Sequence, residues 1–592
     1  MCQEIPEDIT SILKIVTNCN LKSEMAKSFQ TTNLTDVWPS LFTPPPFCPM
    51  CKDSTCTNPQ MPNGTNGEYF LVTTSLVLKV AIQARVCHSC SGTVAVDANK
   101  IGLFNCQNKV LVGYDVFFEM RLHRRNGLSP EQSIQILFEK LSKTSRVSDI
   151  DIEKEDEKIN YLSRVIYNGF YAFEALSPRN LDESLCGICG NIPVMLIGDA
   201  NQKDCCNLTE LEFDQGDHGD GKVDPDDFWS TVHENLVSAS VVSHPEIKKM
   251  NAYRVAPFIP PALRGTSILN TEFQKQSRIC RPDELVEGKP SEAELSSLIA
   301  SGEVNIDELD DLHHNQLIAI CTKVGIVHTV NDSMINLRRK IFGFYKQIYE
   351  GLSSCHSFGK IQGRSGGRLV FVCPHSVVYV SKMIVRAESA RDHADCYMSL
   401  RHMPPVYVSD IPCTIRSHME IRFPKKCEEI FGSLRGCFER PNSTGDPQIF
   451  TANELLPPNF LEENPHLTIS DDKFVHPYTG KRNRYLVGDR FHNVASPHTH
   501  NTCRYHDINN CSSLHSYATS LAEVDNAKTK DKRLSSACSQ NPNHHAFYNM
   551  LMDYDNNMGI VCKQKKEIQK RYPDHLIVRD RFLRFVLSDK IC

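Results

Sequence analysis

The chain has 592 residues, of which 40% are hydrophobic and 23% charged, and a formal net charge of −6. That length suits roughly three or four domains of ~150 residues, and no apolar run approaches the ~18 residues of a membrane-spanning helix. The negative balance argues against a chain coated along its length with nucleic acid and leaves only local basic patches for such contacts.

Residues 1–46 read as a helical segment closed by Pro44-Pro45-Pro46. The opening Met1-Cys2-Gln3-Glu4-Ile5-Pro6-Glu7-Asp8 is acidic and has no apolar stretch, so it is not read as a secretory signal. A reducing compartment is expected. There the 25 cysteines, an odd number, act as free thiols or zinc ligands rather than as a disulfide framework.

Residues 47–115 are cysteine-rich and strand-like. Phe47-Cys48-Pro49-Met50-Cys51 and Val86-Cys87-His88-Ser89-Cys90 are two Cys-x-x-Cys knuckles, 36 residues apart (87 − 51). Each knuckle aims two thiolates at one ion, and two knuckles complete a tetrahedron. The spacer carries a strand pattern over 68–80, as a zinc ribbon would. Cys48, Cys51, Cys87 and Cys90 are therefore the expected ligands of a structural zinc.

Residues 116–185 read as a helical linker region with an acidic stretch at 149–158. The basic run Arg121-Leu122-His123-Arg124-Arg125, like a second at 563–571, reads as a solvated helix face. Residues 186–206 hold Cys186-Gly187-Ile188-Cys189 and the short apolar strand Pro193-Val194-Met195-Leu196-Ile197-Gly198-Asp199, then Cys205-Cys206. Cys186 and Cys189 are candidate ligands of a second zinc, with Cys205 and Cys206 to complete it. Residues 207–365 read as a helical insertion. Within it, helices at 315–324 and 333–345 form a hairpin (305–345) that looks like a SAP-type DNA-binding unit, with Arg338-Arg339-Lys340 available to phosphates. A plain hairpin packed on the core is the competing reading.

The remainder, 366–592, begins with a hairpin (368–373 and 377–380), a helix over 386–401 and the strand Pro405-Val406-Tyr407-Val408-Ser409-Asp410. Cys373-Pro374-His375 reads as packing at a strand end. A loop-rich region follows, where Cys503, His506 and Cys511, preceded by His492, His498 and His500, form a third candidate metal group. A late helix carries Ser520-Leu521-Ala522-Glu523-Val524-Asp525-Asn526.

The order strand–Asp, hairpin, helix, strand–Asp, helix, helix with Glu is that of a ribonuclease-H-like core. Two adjacent central strands would end side by side, and Asp199, Asp410 and Glu523 would converge. Hard divalent cations take oxygen ligands, and two Mg²⁺ or Mn²⁺ ions ~4 Å apart serve phosphodiester cleavage by water or a 3′-hydroxyl. Asp525 and Asp489 are alternatives for the third carboxylate, and Glu388, on the helix between the strands, is a fourth. Aspartate at a strand end also simply begins turns or caps helices.

These residues resemble a known family. The stretch 186–206 with Leu196-Ile197-Gly198-Asp199-Ala200-Asn201-Gln202-Lys203 carries the likeness, as does 366–410 with Cys373-Pro374-His375, Ala387-Glu388-Ser389-Ala390-Arg391-Asp392 and Val408-Ser409-Asp410. Asp489-Arg490-Phe491-His492 and Ala522-Glu523-Val524-Asp525-Asn526 extend it, patchily, over about two thirds of the chain. They resemble the transposase-derived region of the HMG domain-containing protein 3 family, which is related to the Kyakuja–Dileera–Zisupton (KDZ) transposases. The N-terminal knuckles resemble the cysteine cluster associated with those transposases. The resemblance implies a ribonuclease-H fold with Asp199, Asp410 and Glu523 in catalytic positions, structural zinc, and catalytic Mg²⁺ or Mn²⁺. It further implies DNA as partner and a nuclear location. No HMG box is visible, and Glu523 stands in Glu-Val-Asp-Asn where the family form is Glu-Gln-x-Asn.

The expected architecture is therefore α/β: a ribonuclease-H-like core with a helical insertion, preceded by a zinc-ribbon-like cysteine cluster. Two functions are compatible with it. One is a divalent-metal-dependent transposase or nuclease. The other is a catalytically inactive, domesticated transposase that holds DNA or chromatin through its zinc modules. Self-association is left open, and no membrane is expected as a partner.

Overall fold

The computed structural model describes residues 39–589 except 53–54, 62–67, 145–148, 153, 203, 215, 243–247, 276–287, 289, 352–362, 437, 440–473, 481, 496–502, 512–513, 516 and 523–540. The expected N-terminal helical segment before residue 39, and Glu523, Asp525, His498 and His500, lie outside the described residues. The chain divides into two compact units, one of 1–180, 226–249 and 531–548, the other of 181–225, 250–530 and 549–592.

The first unit is built on a mixed sheet of β1 (Leu41–Phe42), β2 (Tyr69–Val72), β3 (Val77–Ile82), β6 (Leu103–Cys106) and β7 (Val110–Gly113), in the order β1-β3-β2-β7-β6. A separate two-stranded ribbon joins β4 (Arg85–Val86) to β5 (Thr93–Val94). Strand β2 reads Tyr-Phe-Leu-Val and is buried along its length, which fits aromatic and β-branched side chains on a doubly covered strand. Three helices follow: α1 (Tyr114–Arg125), α2 (Pro130–Thr144) and α3 (Asp156–Leu176). The apolar stripe of α3 buries Leu162, Val165, Ile166, Phe170 and Phe173. Phe173 packs on Phe117 with ring centroids 5.1 Å apart and edge-on to Phe104 at 6.2 Å.

Glu174, on the last turn of α3, is fully buried. It accepts from Arg121 Nε at 2.8 Å and also pairs with Arg179. Arg124 of the same basic run is buried too. The run at 121–125 is thus partly spent on folding, and is not the fully solvated face expected from its charge pattern.

The second unit holds a five-stranded mixed sheet: β8 (Met195–Asn201), β9 (Gly367–Val372), β10 (Val378–Ile384), β11 (Val406–Ser409) and β12 (Tyr485–Gly488), in the order β10-β9-β8-β11-β12. Strand β9 is antiparallel to both β8 and β10, whereas β8, β11 and β12 run parallel. Side-chain alternation splits the sheet into two cores. Leu196, Phe371 and Tyr407 face one, and Met195, Ile197, Val406 and Val408 face the other.

The connection from β10 to β11 contains α4 (Ala390–Met398), and α5 (Pro412–Arg422) leaves β11, with Pro412 at its first turn where a missing N–H costs nothing. Helix α4 begins at Ala390, later than the expected start near 386. Ser389 and Asp392 close a reciprocal capping box there, so Glu388 sits in the turn before the helix and not on it. Between β8 and β9, helices at His314–Val324 and Met334–Glu350 pack through Leu317, Ile320, Leu337 and Ile341. Arg338 donates to the carbonyls of Leu309, Asp310 and Leu312, and Lys340 to Val327 O and Asp332. Both cations close off this hairpin's own backbone. Among the described residues, no helix is long and apolar enough to cross a membrane.

Burial opposes ionisation of Glu174, but Arg121, Arg179 and Arg124 outweigh it and bring its carboxyl from 4.5 to about 2. A carboxyl held low only in the folded state adds stability that is complete above about pH 4.5 and is lost as pH falls toward 2. Glu174→Gln should therefore destabilise by ~3–5 kcal/mol at pH 7, because it leaves buried cations unpaired. The loss should shrink in acid. Guanidinium unfolding at pH 7 and pH 3 reads this, and an equal loss at both pH values would show that the ionised carboxylate is not what stabilises.

Candidate metal centres

Three groups of metal-ligating side chains come together among the described residues. The first is Cys48, Cys51, Cys87 and Cys90, with every sulfur within 4.8 Å of the others. The β4–β5 ribbon presents the second knuckle. The Cys87 N–H donates to Gly92 O, and a bridge to Cys56 ties this turn to the first knuckle's loop. After each second cysteine the chain turns through a left-handed residue, Lys52 at φ 58° and Ser91 at φ 56°. Cys48 and Cys90 sulfurs are 3.7 Å apart, Cys51 and Cys87 3.4 Å, and Cys51 and Cys90 4.0 Å. Metal–sulfur bonds of ~2.3 Å in a tetrahedron require sulfur–sulfur edges of about 3.8 Å, so the four thiols fit zinc. The Cys90 backbone N–H, aimed at the Cys87 sulfur, helps bring that thiol down to about 7, toward the thiolate a metal needs. Cys56 packs beside this group without joining it.

The second group is Glu388, His393 and Asp410. Asp410 is the residue after β11, half-buried, with Ser409 Oγ 3.2 Å from its Oδ1. Glu388 Oε1 is 2.9 Å from His393 Nε2, and His393 Nδ1 is 2.7 Å from the Tyr407 hydroxyl. Burial, and then the charges of Asp410 and Asp392, push the Glu388 carboxyl well above the usual range. Burial holds His393 below its ordinary value against the pull of Asp410, Asp392 and Asp199. The turn bearing Glu388 is itself clamped. Lys275 reaches Ala387 O and Asp392, and the Arg386 N–H donates to Glu272.

Asp199 lies on β8, half-buried, opposite Val370 of β9. The last registered pair between β8 and β11 is Ile197 with Val408, so Asp199 and Asp410 each stand two residues beyond it (199 − 197 and 410 − 408). Gly198 is required between them. A Cβ there would lie 1.9 Å from the Tyr407 hydroxyl and 3.0 Å from Phe371. Asp489 follows the Ser409–Gly488 pair on β12, and its N–H donates to Ser409 O at 3.1 Å. Asp410 and Asp489 thus follow two parallel strands directly, and Asp199 stands level with Asp410 within β8, which continues to Asn201. Burial opposes ionisation of Asp489, but hydrogen bonds from His492 and Thr519 outweigh it and hold the carboxyl low.

The third group is Cys186, Cys189, Cys373 and His375. By sequence Cys373 and His375 read as packing and Cys205 and Cys206 as the partners. In the fold, the Cys206 sulfur instead lies 3.8 Å from the Met383 sulfur, and the Cys206 backbone N–H donates to Ser365 Oγ at 2.8 Å. The signal available in the sequence was that Cys373-Pro374-His375 occupies the turn of the predicted hairpin. Cys503, His506 and Cys511 form no such group among the described residues. His506 Nδ1 bonds Leu486 O at 2.7 Å, and Cys511 is buried in the apolar core beneath β12.

Residues 33–149 match the CxC4-like cysteine cluster associated with KDZ transposases. The chain is 29% identical over 541 residues to human HMG domain-containing protein 3, an overlap of 89% of this chain and 40% of that protein. It therefore spans less than half the length of that relative. No solved structure matches.

Removing two ligands of the first group, as in Cys48→Ser with Cys87→Ser, should lower zinc per chain by about one equivalent and unfold the β4–β5 ribbon. Elemental analysis with hydrogen exchange over 47–115 measures both. Unchanged zinc content would refute the assignment.

Proposed function

We propose that this chain is a transposase-derived, DNA-binding protein whose second unit is a ribonuclease-H-like core with an acidic divalent-metal site. One observation carries the reading. Asp199 and Asp410 lie two residues past the same registered pair on adjacent parallel strands. Neighbouring strands are ~4.8 Å apart, a spacing at which two carboxylates can share a cation. The strand order, with the second strand antiparallel and the third at the edge, supports the same fold. The cysteine-cluster match and the similarity to HMG domain-containing protein 3 support the transposase origin, DNA as partner and a nuclear location.

A Mg²⁺ or Mn²⁺ pair held there would activate the attacking oxygen and stabilise the leaving one. The chain's own residues supply its binding. Asp199 offers an oxygen from within β8 and Asp410 one from the end of β11. Glu388, whose carboxyl is pushed up by burial and by Asp410 and Asp392, would ionise more readily with a cation beside it. If Tyr407 donates to His393 Nδ1, Nε2 carries the proton and holds Glu388 Oε1 in the group it forms with Asp410. Asp489 extends the acidic edge, and Glu523 remains the third carboxylate implied by the family pattern.

A specific observation also favours the non-cleaving reading. Glu388 is only 5% exposed and spends its oxygen on His393 rather than facing an open cleft. In that case the acidic edge is a relic, and the chain binds DNA or chromatin through its zinc modules.

Incubation of the purified chain with supercoiled plasmid and Mg²⁺ or Mn²⁺ separates the two. Cleavage should appear with metal, and Asp410→Asn or Asp199→Asn should reduce it on the order of 10²-fold or more without unfolding the chain. A folded, DNA-binding chain that nicks nothing would establish the domesticated reading in its place.

A further inference from the structure

We propose that Cys186, Cys189, Cys373 and His375 bind a second structural zinc, which staples the segment entering β8 to the turn between β9 and β10. The ligand set is three thiolates and one imidazole, and all four ligand atoms lie within 4.8 Å of one another. His375 Nδ1 is 3.2 Å from the Cys189 sulfur and 3.9 Å from that of Cys373. A tetrahedron with ~2.3 Å zinc–sulfur and ~2.0 Å zinc–nitrogen bonds has edges of about 3.5–3.8 Å.

The backbone is shaped as at the N-terminal knuckles. Gly190, after Cys189, adopts φ 59°, matching Lys52 and Ser91 after the second cysteines there. The Cys189 N–H points at the Cys186 sulfur at 3.5 Å, and the Gly190 N–H closes the turn on Cys186 O at 2.8 Å. Gly190 is also sterically required, because a Cβ would meet Phe582 O at 1.9 Å. On the other side, Ser376 turns left-handed at φ 61° and its N–H donates to Cys373 O at 2.9 Å, so Cys373 and His375 flank one tight turn.

An outer shell supports the knuckle. Gln564, on the C-terminal helix (Pro542–Arg571), accepts from the Gly187 N–H at 2.8 Å and donates through Nε2 to the Cys186 sulfur at 3.3 Å. The Tyr379 hydroxyl donates to Gly190 O at 2.6 Å. Donors aimed at a buried sulfur stabilise a thiolate, and second-shell groups of this kind orient metal ligands. Cys186 and Cys373 are wholly buried. Three thiols packed against an imidazole satisfy each other weakly without a cation, whereas one zinc satisfies all four.

The consequence is mechanical. Val372 of β9 is registered with Ile197 of β8, and Val370 with Asp199. A zinc joining residues just before β8 to residues just after β9 pins that register at its end, and Asp199 lies farther along the same pairing.

Elemental analysis of the full chain grown with zinc should find about two ions, one for each four-ligand group. Cys373→Ser with His375→Ala should lose one of them, and Cys48→Ser with Cys87→Ser the other. Should the first variant not fold, cobalt-substituted wild type still decides. Its absorption should contain a three-sulfur, one-nitrogen component that His375→Cys converts to the four-sulfur form with the metal count unchanged. A wild-type chain whose only zinc is removed by the Cys48/Cys87 variant would overturn the assignment. So would a Cys186–Cys189 disulfide found by mass spectrometry of the unreduced chain.

Discussion

The parallel pairing of β8 with β11 is the constraint from which the second unit's arrangement follows. The two strands are separated by roughly two hundred residues, yet Met195, Leu196 and Ile197 meet Val406, Tyr407 and Val408 one for one. Both faces of both strands are buried, so a slip of one residue would turn Leu196 and Tyr407 into the opposite core and reverse every contact. Gly198 makes the fit specific, since the Tyr407 ring occupies the space of its missing side chain. With that register set, Asp199 within β8 and Asp410 just after β11 are brought level without any further interaction.

A second layer of order is ionic and lies under α4. Lys382 bonds Asp392 at 2.9 Å and lies near Asp395, Lys275 bonds Asp392 at 2.7 Å, and Arg422 bonds Asp395 at 3.2 Å, all with the charged groups largely removed from water. Thr271 adds a hydroxyl and a backbone N–H to Asp395. Such a network adds little net stability over an apolar core, but removing one member leaves its partners charged and unpaired. Its use here is positional. It fixes the capping box at Ser389 and the turn before it, and with them the place of Glu388 beside Asp410.

The N-terminal knuckles stand where little apolar core is available. The β4–β5 ribbon has two residues per strand, and the core around Cys48 and Cys87 includes one further fully buried apolar residue, Val94. A metal held there would replace what side-chain burial cannot supply at that size.

Periodicity and spacing alone determined much of this protein. The Cys-x-x-Cys pairs marked the first metal group, because knuckle ligands are local in sequence. Short apolar runs marked β8, β9, β10 and β11, because a strand buried on both faces must be apolar throughout. The position of Asp410 just after β11 was legible for the same reason, whereas β8 runs on past Asp199 to Asn201 because β9 continues to pair with it. The start of α4 was not, since Ser389 and Asp392 form a capping box only when the chain enters from the β10 turn. Nor could the partners of Cys186 and Cys189 be read, because Cys205 and Cys206 were nearer in sequence while Cys373 and His375 are nearer in space. Tertiary structure alone decided that choice, together with the buried Glu388–His393–Tyr407 chain and the alignment of Asp489 with Asp410. The physical reason is common to all three. Each depends on contacts that exist only once the sheet has formed: Cys189 meets His375 from 186 residues away, Asp489 meets Asp410 only through the register of β11 with β12, and the Glu388–His393–Tyr407 chain needs α4 laid against β11.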